Sequence, residues 1–461
     1  MQPKTSMATP QLDMFRNRLE NILNRNHELY RLAALIDWEL LEQEFGALYS
    51  EHGRPGIPIR LMAGLSYLSH AFNTSDEETV RRWVENPYHQ YFCGEEYFCH
   101  ELPIDPSSLS RWRKRIGEEG CELILQVTVQ AGLVSGAVKA NSLERVTVDT
   151  TVQEKAIAFP TDARLYNRSR ERLVRLAGKH GVRLRQNYNR LAPRALRRVG
   201  RYFHARQAKR ARRELKRLKV FLGRVYRDIV RKINGKADLQ AAFSEELALA
   251  QRLLTQQRQD KNKLYSLHAP EVECIGKGKA HKKFEFGVKV SVAVTNRDNF
   301  IVGMRAEPGN PYDGHTLARA IAQVERITGQ AIRRIFVDRG YRGHKLKTPQ
   351  VVISGSRRGL TPQMKRELKR RSAIEPVIGH MKTDGKLGRN YLLGTLGDKI
   401  HALLCGAGHN IRLILRKLRE LLLFLCAGIR AGFFDCRDWL LWLAHRPARP
   451  QAEDGLNQAV S

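Results

Sequence analysis

The sequence predicts a mixed α+β protein: a helical N-terminal domain over residues 1–140, a domain over 141–395 built on a mixed sheet flanked by helices, a basic helical insertion at 152–269 interrupting it, and a C-terminal helical segment and tail at 396–461. Three observations predict this. Apolar residues recur at helical spacing up to about residue 135, and the pattern turns to strand periodicity near Ser142. Between the first strand and the rest, residues 183 to 236 hold 20 Lys or Arg against two acids, Glu214 and Asp228. The length, 461 residues, suggests roughly three domains, and 42% hydrophobic content suffices for a core in each.

The N-terminal elements follow from their start signals. Pro58 pre-sets a helix from Ile59 to Ser69; Ser75-Asp76-Glu77-Glu78 is a capping box opening a helix that Asn86-Pro87 closes. Asp105 then caps a third helix with Pro106 at its first position. Leu109, Trp112 and Ile116 make its apolar stripe, which is expected to leave Arg111, Arg113, Lys114 and Arg115 outward. A basic helix of this kind reads either as a groove-reading helix of a DNA-binding domain or as the solvated basic face of an ordinary bundle helix.

Arg145 to Thr151 is the first strand. The insertion follows, with Leu215, Leu218, Leu222 and Val225 at helical spacing among its cations, and with Tyr188, Tyr202, Phe203 and Tyr226 available to pack it or to stack on an unpaired base. Strands resume as a hairpin, Phe284 to Thr295 and Phe300 to Glu307, turned by Asn296-Arg297-Asp298-Asn299. Residues 309–314 have loop chemistry, Thr316 to Thr328 is helical, Arg333 to Val337 and Val351 to Ile353 are short strands, and Thr361 caps a helix begun by Pro362. This order of elements is that of a ribonuclease-H-like domain.

A formal net charge of +33 selects a polyanionic partner. Nucleic acid is favoured over membrane, since no N-terminal signal pattern is present and the most apolar stretch, Leu421 to Leu443, is interrupted by Arg430, Asp435, Arg437 and Asp438. Seven scattered cysteines without a Cys-x-x-Cys pair argue for a reducing, cytoplasmic setting. His89, Cys93, Cys99 and His100 have zinc-ligand chemistry but lack the usual short ligand spacings, and their aromatic surroundings read as core. Gly276-Lys277-Gly278-Lys279 lacks the spacing of an ATP-binding loop, so no nucleotide cofactor is expected.

Three acids carry the candidate chemistry. Asp149 closes the strand Val146 to Val148, Asp338 closes Ile335 to Val337, and Glu375 sits in a basic stretch. Phosphodiester cleavage by two divalent ions needs carboxylates gathered from separate elements. On an ideal helix Arg371, Glu375 and Lys382 lie at roughly 0°, 40° and 20°, on one face. Pro376 should kink or restart that helix around 372–376.

Asp149-Thr150-Thr151, residues 265–279, Gly309-Asn310-Pro311-Tyr312-Asp313-Gly314-His315-Thr316-Leu317, Val337-Asp338-Arg339-Gly340-Tyr341-Arg342-Gly343 and residues 374–382 together resemble bacterial insertion-sequence transposases with a DDE catalytic triad, most closely the group numbered five. The likeness runs from about Gln11 to Phe424 and includes Gly53-Arg54-Pro55-Gly56 and Trp83-Val84-Glu85-Asn86-Pro87 in the N-terminal segment. The resemblance implies that Asp149, Asp338 and Glu375 are catalytic and hold Mg2+ or Mn2+, as two ions. It implies that Arg371 and Lys382 contact DNA near the cleaved end, where Leu368 replaces the tyrosine of the related signature. In the related branch a β-rich insert lies between the second Asp and the Glu; here only 36 residues separate Asp338 from Glu375, and the insertion lies between the two aspartates. The implied partners are double-stranded DNA, as terminal inverted repeats and target, and further copies of the chain in a dimeric or higher synaptic complex. The alternative reading is a catalytically inactive DNA-binding protein derived from a transposase. His315 is read as either a DNA contact or proton shuttle, or a packing residue of its helix's first turn.

Overall fold

The computed structural model describes residues 17–50, 52, 55–257, 259–276, 282–355 and 359–430, the last ten by backbone alone. The Gly53-Arg54 pair, Lys277 to Lys279 and the second half of Leu421 to Leu443 lie outside these residues. No helix among the described residues is long and apolar enough to cross a membrane.

The N-terminal helices are α1 (Leu19–Ile22), α2 (Glu28–Ala33), α3 (Trp38–Gly46), α4 (Ile59–Ala71), α5 (Asp76–Glu85), α6 (Pro87–Phe92) and α7 (Ser107–Val134). α4 and α5 start where the sequence signals and α7 one residue later than expected, whereas α1, α2, α3 and α6 were not foreseen. The Ser75 hydroxyl accepts from the Glu78 amide at 3.1 Å, Asn86 both ends α5 and caps α6 through the Tyr88 amide at 2.9 Å, and the Asp105 carboxylate accepts from the Ser107 amide at 2.9 Å. The third expected helix is far longer than a recognition helix. It continues through Gly117, whose φ of 65° turns the axis without a Cβ penalty.

The sheet consists of β1 (Arg145–Glu154), β2 (Glu273–Gly276), β3 (Phe284–Thr295), β4 (Ile301–Glu307), β5 (Arg334–Val337) and β6 (Gln350–Ile353). Its order is β2-β3-β1-β5-β6, with β4 also on β3. β3 runs antiparallel to β1, β2 and β4, whereas β1, β5 and β6 are mutually parallel. The hairpin turn is where the sequence puts it, with Asn299 at φ 57°. β2 was not foreseen, because four residues are too few to display an alternation. α12 (Asp313–Thr328) joins β4 to β5 and starts three residues before the expected Thr316.

Between β1 and β2 the insertion folds as α8 (Asp162–Lys179), α9 (Leu191–His204), α10 (Ala208–Ile233) and α11 (Ala237–Thr255), around a core of its own that includes Leu218, Leu222, Val225, Ile229 and Phe243. The two acids of residues 183–236 are staples. Glu214 takes Arg217 at 3.0 Å and Arg198 at 3.9 Å, while Asp228 takes Arg231 at 3.0 Å, Lys232 at 2.9 Å and the Arg185 amide at 2.9 Å. Tyr188 stacks on Phe221 with ring centroids 4.4 Å apart, so it packs the insertion; Phe203 remains exposed.

After β6 come α13 (Pro362–Arg370), α14 (Ile374–Thr383) and α15 (Gly394–Arg430). The N-terminal helices, one face of the sheet and α15 share a single hydrophobic core. Glycines allow the close approach: a Cβ on Gly408 would stand 2.5 Å from the His70 carbonyl oxygen of α4, and one on Gly406 would stand 2.8 Å from Met304 of β4. A buried ionic knot ties the sheet to α15. Lys155 at the end of β1 bonds Glu271 at 2.9 Å and Asp398 at 2.8 Å, and Asp398 also accepts from Asn390 at 2.7 Å.

Candidate active site

The parallel register of β1 and β5 pairs Thr147 with Phe336. Asp149 lies two residues beyond the first, within β1, and Asp338 two beyond the second, one residue past the end of β5, so continuing the register brings the two acids level. Asp338 follows the end of β5 directly, as the sequence predicts, whereas β1 runs on past Asp149 to Glu154, paired throughout with β3, so Asp149 does not close its strand. Asp338 is fixed by its own turn, its Oδ1 accepting from the Gly340 amide at 2.9 Å.

Glu375 comes from α14. The chain breaks where Pro376 requires it: a single 3-10 turn, Arg371–Ala373, separates α13 from α14, and Pro376 falls in the first turn of α14, where no intrahelical donor is needed. Glu375 is exposed and reaches the strands through a cation. The Arg371 guanidinium stands 3.9 Å from Asp149 Oδ2 and 3.7 Å from Glu375 Oε1. Among the described residues no three carboxylates come within 4.8 Å of one another, so the structure brings Asp149 and Asp338 level and links Glu375 to them by Arg371 rather than closing a triad around a point.

Residues beyond the expected three complete this pocket. Asp313, at the start of α12, accepts from Thr150 Oγ1 at 3.1 Å and from Lys289 Nζ at 3.0 Å. The Tyr341 and Ser291 hydroxyls are fully buried beside each other, with no further hydrogen-bond partner among the described residues. Burial first, then the charges of Asp149, Asp313 and Asp338, push the Tyr341 phenol well above its ordinary range. Asp313 lay in plain view within residues 309–317 but read as loop chemistry; only the fold shows that its helix starts beside β1 and β5.

The cations divide. Lys382 is half-buried in the last turn of α14. Arg111, Lys114 and Arg115 are exposed along α7, with Arg111 bonded to Ser107 at 2.8 Å and Arg115 over the Tyr49 ring at 4.9 Å. Arg113 does not belong with them. It is four residues after Leu109 and so falls on the apolar stripe; it is buried there and forms a two-pronged pair with Asp76, with Nη1 3.0 Å from Oδ1. Leu368, at the signature's tyrosine position, packs with Phe336, Val352 and Met364 under the sheet and offers no ring to DNA. His315 is exposed in the first turn of α12, its ring edge-on to Tyr312 at 5.6 Å.

The zinc-type residues near residue 90 serve separate contacts. His89 stacks on Phe72 at 5.7 Å, His100 meets Phe98 edge-on at 4.8 Å, and Cys93 is buried, its sulfur 2.8 Å from where a Cβ on Gly64 would lie. One set of three possible ligand atoms does converge within 4.8 Å among the described residues: His70, His401 and Cys405, buried between α4 and α15. Burial holds both imidazoles uncharged, with Lys386 adding to the effect, and lifts the Cys405 thiol to about 12. Each ring nitrogen facing the backbone is bonded, to the Ser66 and Lys386 carbonyls at 2.9 Å. A neutral trio beside a lysine packs as core.

Comparison with known proteins finds two family matches, with Asp149 outside both. Residues 17–115 match the family described as Transposase domain (DUF772), and residues 254–410 match the Transposase DDE domain. The chain is 55% identical over 195 residues to a Rhizobium meliloti protein described as uncharacterized protein ORF8 in nfe locus, an alignment covering 42% of this chain and 94% of that relative. No solved structure matches. The DDE match contains Asp338, Asp313 and Glu375, and the chain belongs to the insertion-sequence DDE transposases.

Proposed function

We propose that this transposase binds the terminal inverted repeats of its element, hydrolyses the DNA at the ends, and joins the freed 3′-hydroxyls to target DNA. The observation that carries the reading is the level placement of Asp149, within β1, and Asp338, one residue past the end of the parallel strand β5, with Glu375 tied to Asp149 through Arg371. The strand order supports a ribonuclease-H-like catalytic domain: an antiparallel β4-β3-β1 set continued by β5 and β6 parallel to β1.

The donor set fits a hard divalent cation. Carboxylate oxygens suit Mg2+ or Mn2+, and Gly340 leaves open a space that a Cβ would fill, 3.0 Å from Asp338 Oδ1 and 3.3 Å from Asp313 Oδ2. Asp149, Asp338 and Glu375 would hold the ions, which when bound activate the attacking oxygen and steady the leaving one. Arg371 and Lys382 balance the charge of the phosphate and orient it. In hydrolysis a water oxygen bonds to phosphorus and the bond to the 3′ oxygen breaks, leaving a 3′-hydroxyl. In joining, that hydroxyl attacks a target phosphodiester, whose own 3′ oxygen leaves. No covalent protein–DNA step enters.

Binding rests on the exposed cations of α7 and of the insertion, with further copies of the chain gathering the two ends into one complex. A nicking assay on terminal-repeat duplex with Mg2+ tests the catalytic part. Asp149→Ala, Asp338→Ala and Glu375→Ala should each abolish cleavage while DNA binding, read by fluorescence anisotropy, persists. Cleavage retained by any one of the three removes that residue from the role assigned to it.

A further inference from the structure

We infer that Asp313 is a fourth acid of the ion site, aimed by Lys289 and Thr150 so that its Oδ2 faces the same opening as Asp338; this rests on the catalytic reading above. Oδ1 takes both hydrogen bonds that position the carboxylate, from Lys289 Nζ and Thr150 Oγ1, and Oδ2 takes none among the described residues. The aim is built into three elements. Lys289 lies on β3, opposite Val152 of β1 and Glu307 of β4, and its Nζ also bonds the Pro311 carbonyl at 2.6 Å, so one lysine fixes both the loop before α12 and the acid that begins it. Thr150 follows Asp149 directly on β1. Asp313 is thus anchored to the strand that carries the first acid, while its free oxygen turns toward the turn that carries the second.

Two independent features point to a ligand in that space rather than to a plain lysine–aspartate pair. Gly340 has no side chain where a Cβ would meet both Asp338 Oδ1 and Asp313 Oδ2, and its backbone needs no glycine conformation, since it is absent from the positive-φ residues. The Tyr341 and Ser291 hydroxyls, both buried, have each other as neighbours and no further partner among the described residues; one donor of the pair is left without an acceptor, which an ordered water would supply, and the phenol feels the charges of Asp149, Asp313 and Asp338. A merely structural ion pair needs neither the gap nor the waiting hydroxyl.

The test measures Mn2+ binding to the full-length protein by titration calorimetry, with folding followed by circular dichroism. Asp313→Asn should weaken Mn2+ binding about tenfold or more, in the range found when residues that support or hold a metal are removed. Gly340→Ala should weaken it as well, although Asp313 and its bond to Lys289 stay intact; this variant keeps the proposal testable if Asp313→Asn folds poorly. Wild-type affinity in both variants overturns the role of Asp313. If Asp338→Asn and Asp149→Asn also bind Mn2+ as the wild type does, the ion site itself has been placed wrongly, and the failure lies with the catalytic reading.

Discussion

The insertion offers the sharpest quantitative test. Arg197 and Arg201 on α9, and Arg212 and Arg213 on α10, are exposed, and no acid pairs with them among the described residues, whereas Arg198 and Arg217 are drawn to Glu214. If all four contact phosphates, replacing them with alanine makes the dependence of log K on log salt shallower by about 3.6, at about 0.9 per contact, and lowers the affinity at 0.2 M salt by roughly 300-fold. Those figures are the ceiling; two contacts give half the slope. The assay is fluorescence anisotropy of a labelled duplex across a salt series. A control variant removes equal net charge at cations that already have acids, Arg81 and Arg82 at Glu78, Arg333 at Glu144 and Arg419 at Glu28. If the two variants shift the slope alike, overall charge explains the binding. If the insertion variant leaves the slope unchanged, the insertion does not touch DNA.

Other perturbations bear on the frame around the site. Gly287→Ala puts a Cβ 1.9 Å from the Gln153 carbonyl oxygen of β1, a backbone clash that should cost about 3 kcal/mol or more and lower the calorimetric melting temperature; an unshifted melt contradicts the β1–β3 register. Lys155→Met leaves Glu271 and Asp398 buried without their cation and should cost about 3–5 kcal/mol in denaturant unfolding, largely restored by adding Glu271→Gln and Asp398→Asn. If Lys155→Met alone is neutral, the knot contributes nothing. His401 and His409 are held by burial at about 3 in the folded chain against about 6.5 unfolded, so the unfolded state gains protons first as pH falls. Stability is full above about pH 6.5 and declines toward 3, by about 2 kcal/mol per histidine at pH 5. His409→Gln should flatten that slope by one proton, and equal slopes refute the assignment.

Five of the six strands and the starts of α4, α5 and α13 were legible because their signals are local: β-branched runs, Pro58, Ser75 and Thr361 act within a turn of themselves. Asp338 was legible for the same reason, since it ends the apolar strand β5; Asp149, read as closing its strand, lies midway along β1. Arg113 was misread by treating every cation on α7 as outward, although the spacing from Leu109 already placed it on the buried stripe, where Asp76 from another helix makes its burial affordable. Asp313, Lys289 and Tyr341 were not legible as a group. Their meeting depends on the side-by-side placement of β3, β1 and β5 and on α12 starting next to them, long-range facts with no mark in any one segment.

A protein of net charge +33 gains binding from nearly any polyanion, so cations alone cannot mark where cutting happens. The acidic pocket can. Asp149, Asp313 and Asp338 would repel DNA unless neutralised, and the resident cations, Lys289 on Asp313 and Arg371 between Asp149 and Glu375, offset only part of their charge. A divalent cation would complete the neutralisation and free Arg371 from its acids to face phosphate. It follows that ion binding and DNA engagement should help each other: Mn2+ should bind more tightly to the DNA-bound protein than to the free one, and by the same factor DNA should bind more tightly with Mn2+ present. Calorimetric Mn2+ titrations with and without terminal-repeat duplex measure that factor directly. In Arg371→Ala the factor should shrink, because the cation that exchanges one partner for the other is gone; an undiminished factor would show that Arg371 does not link the two.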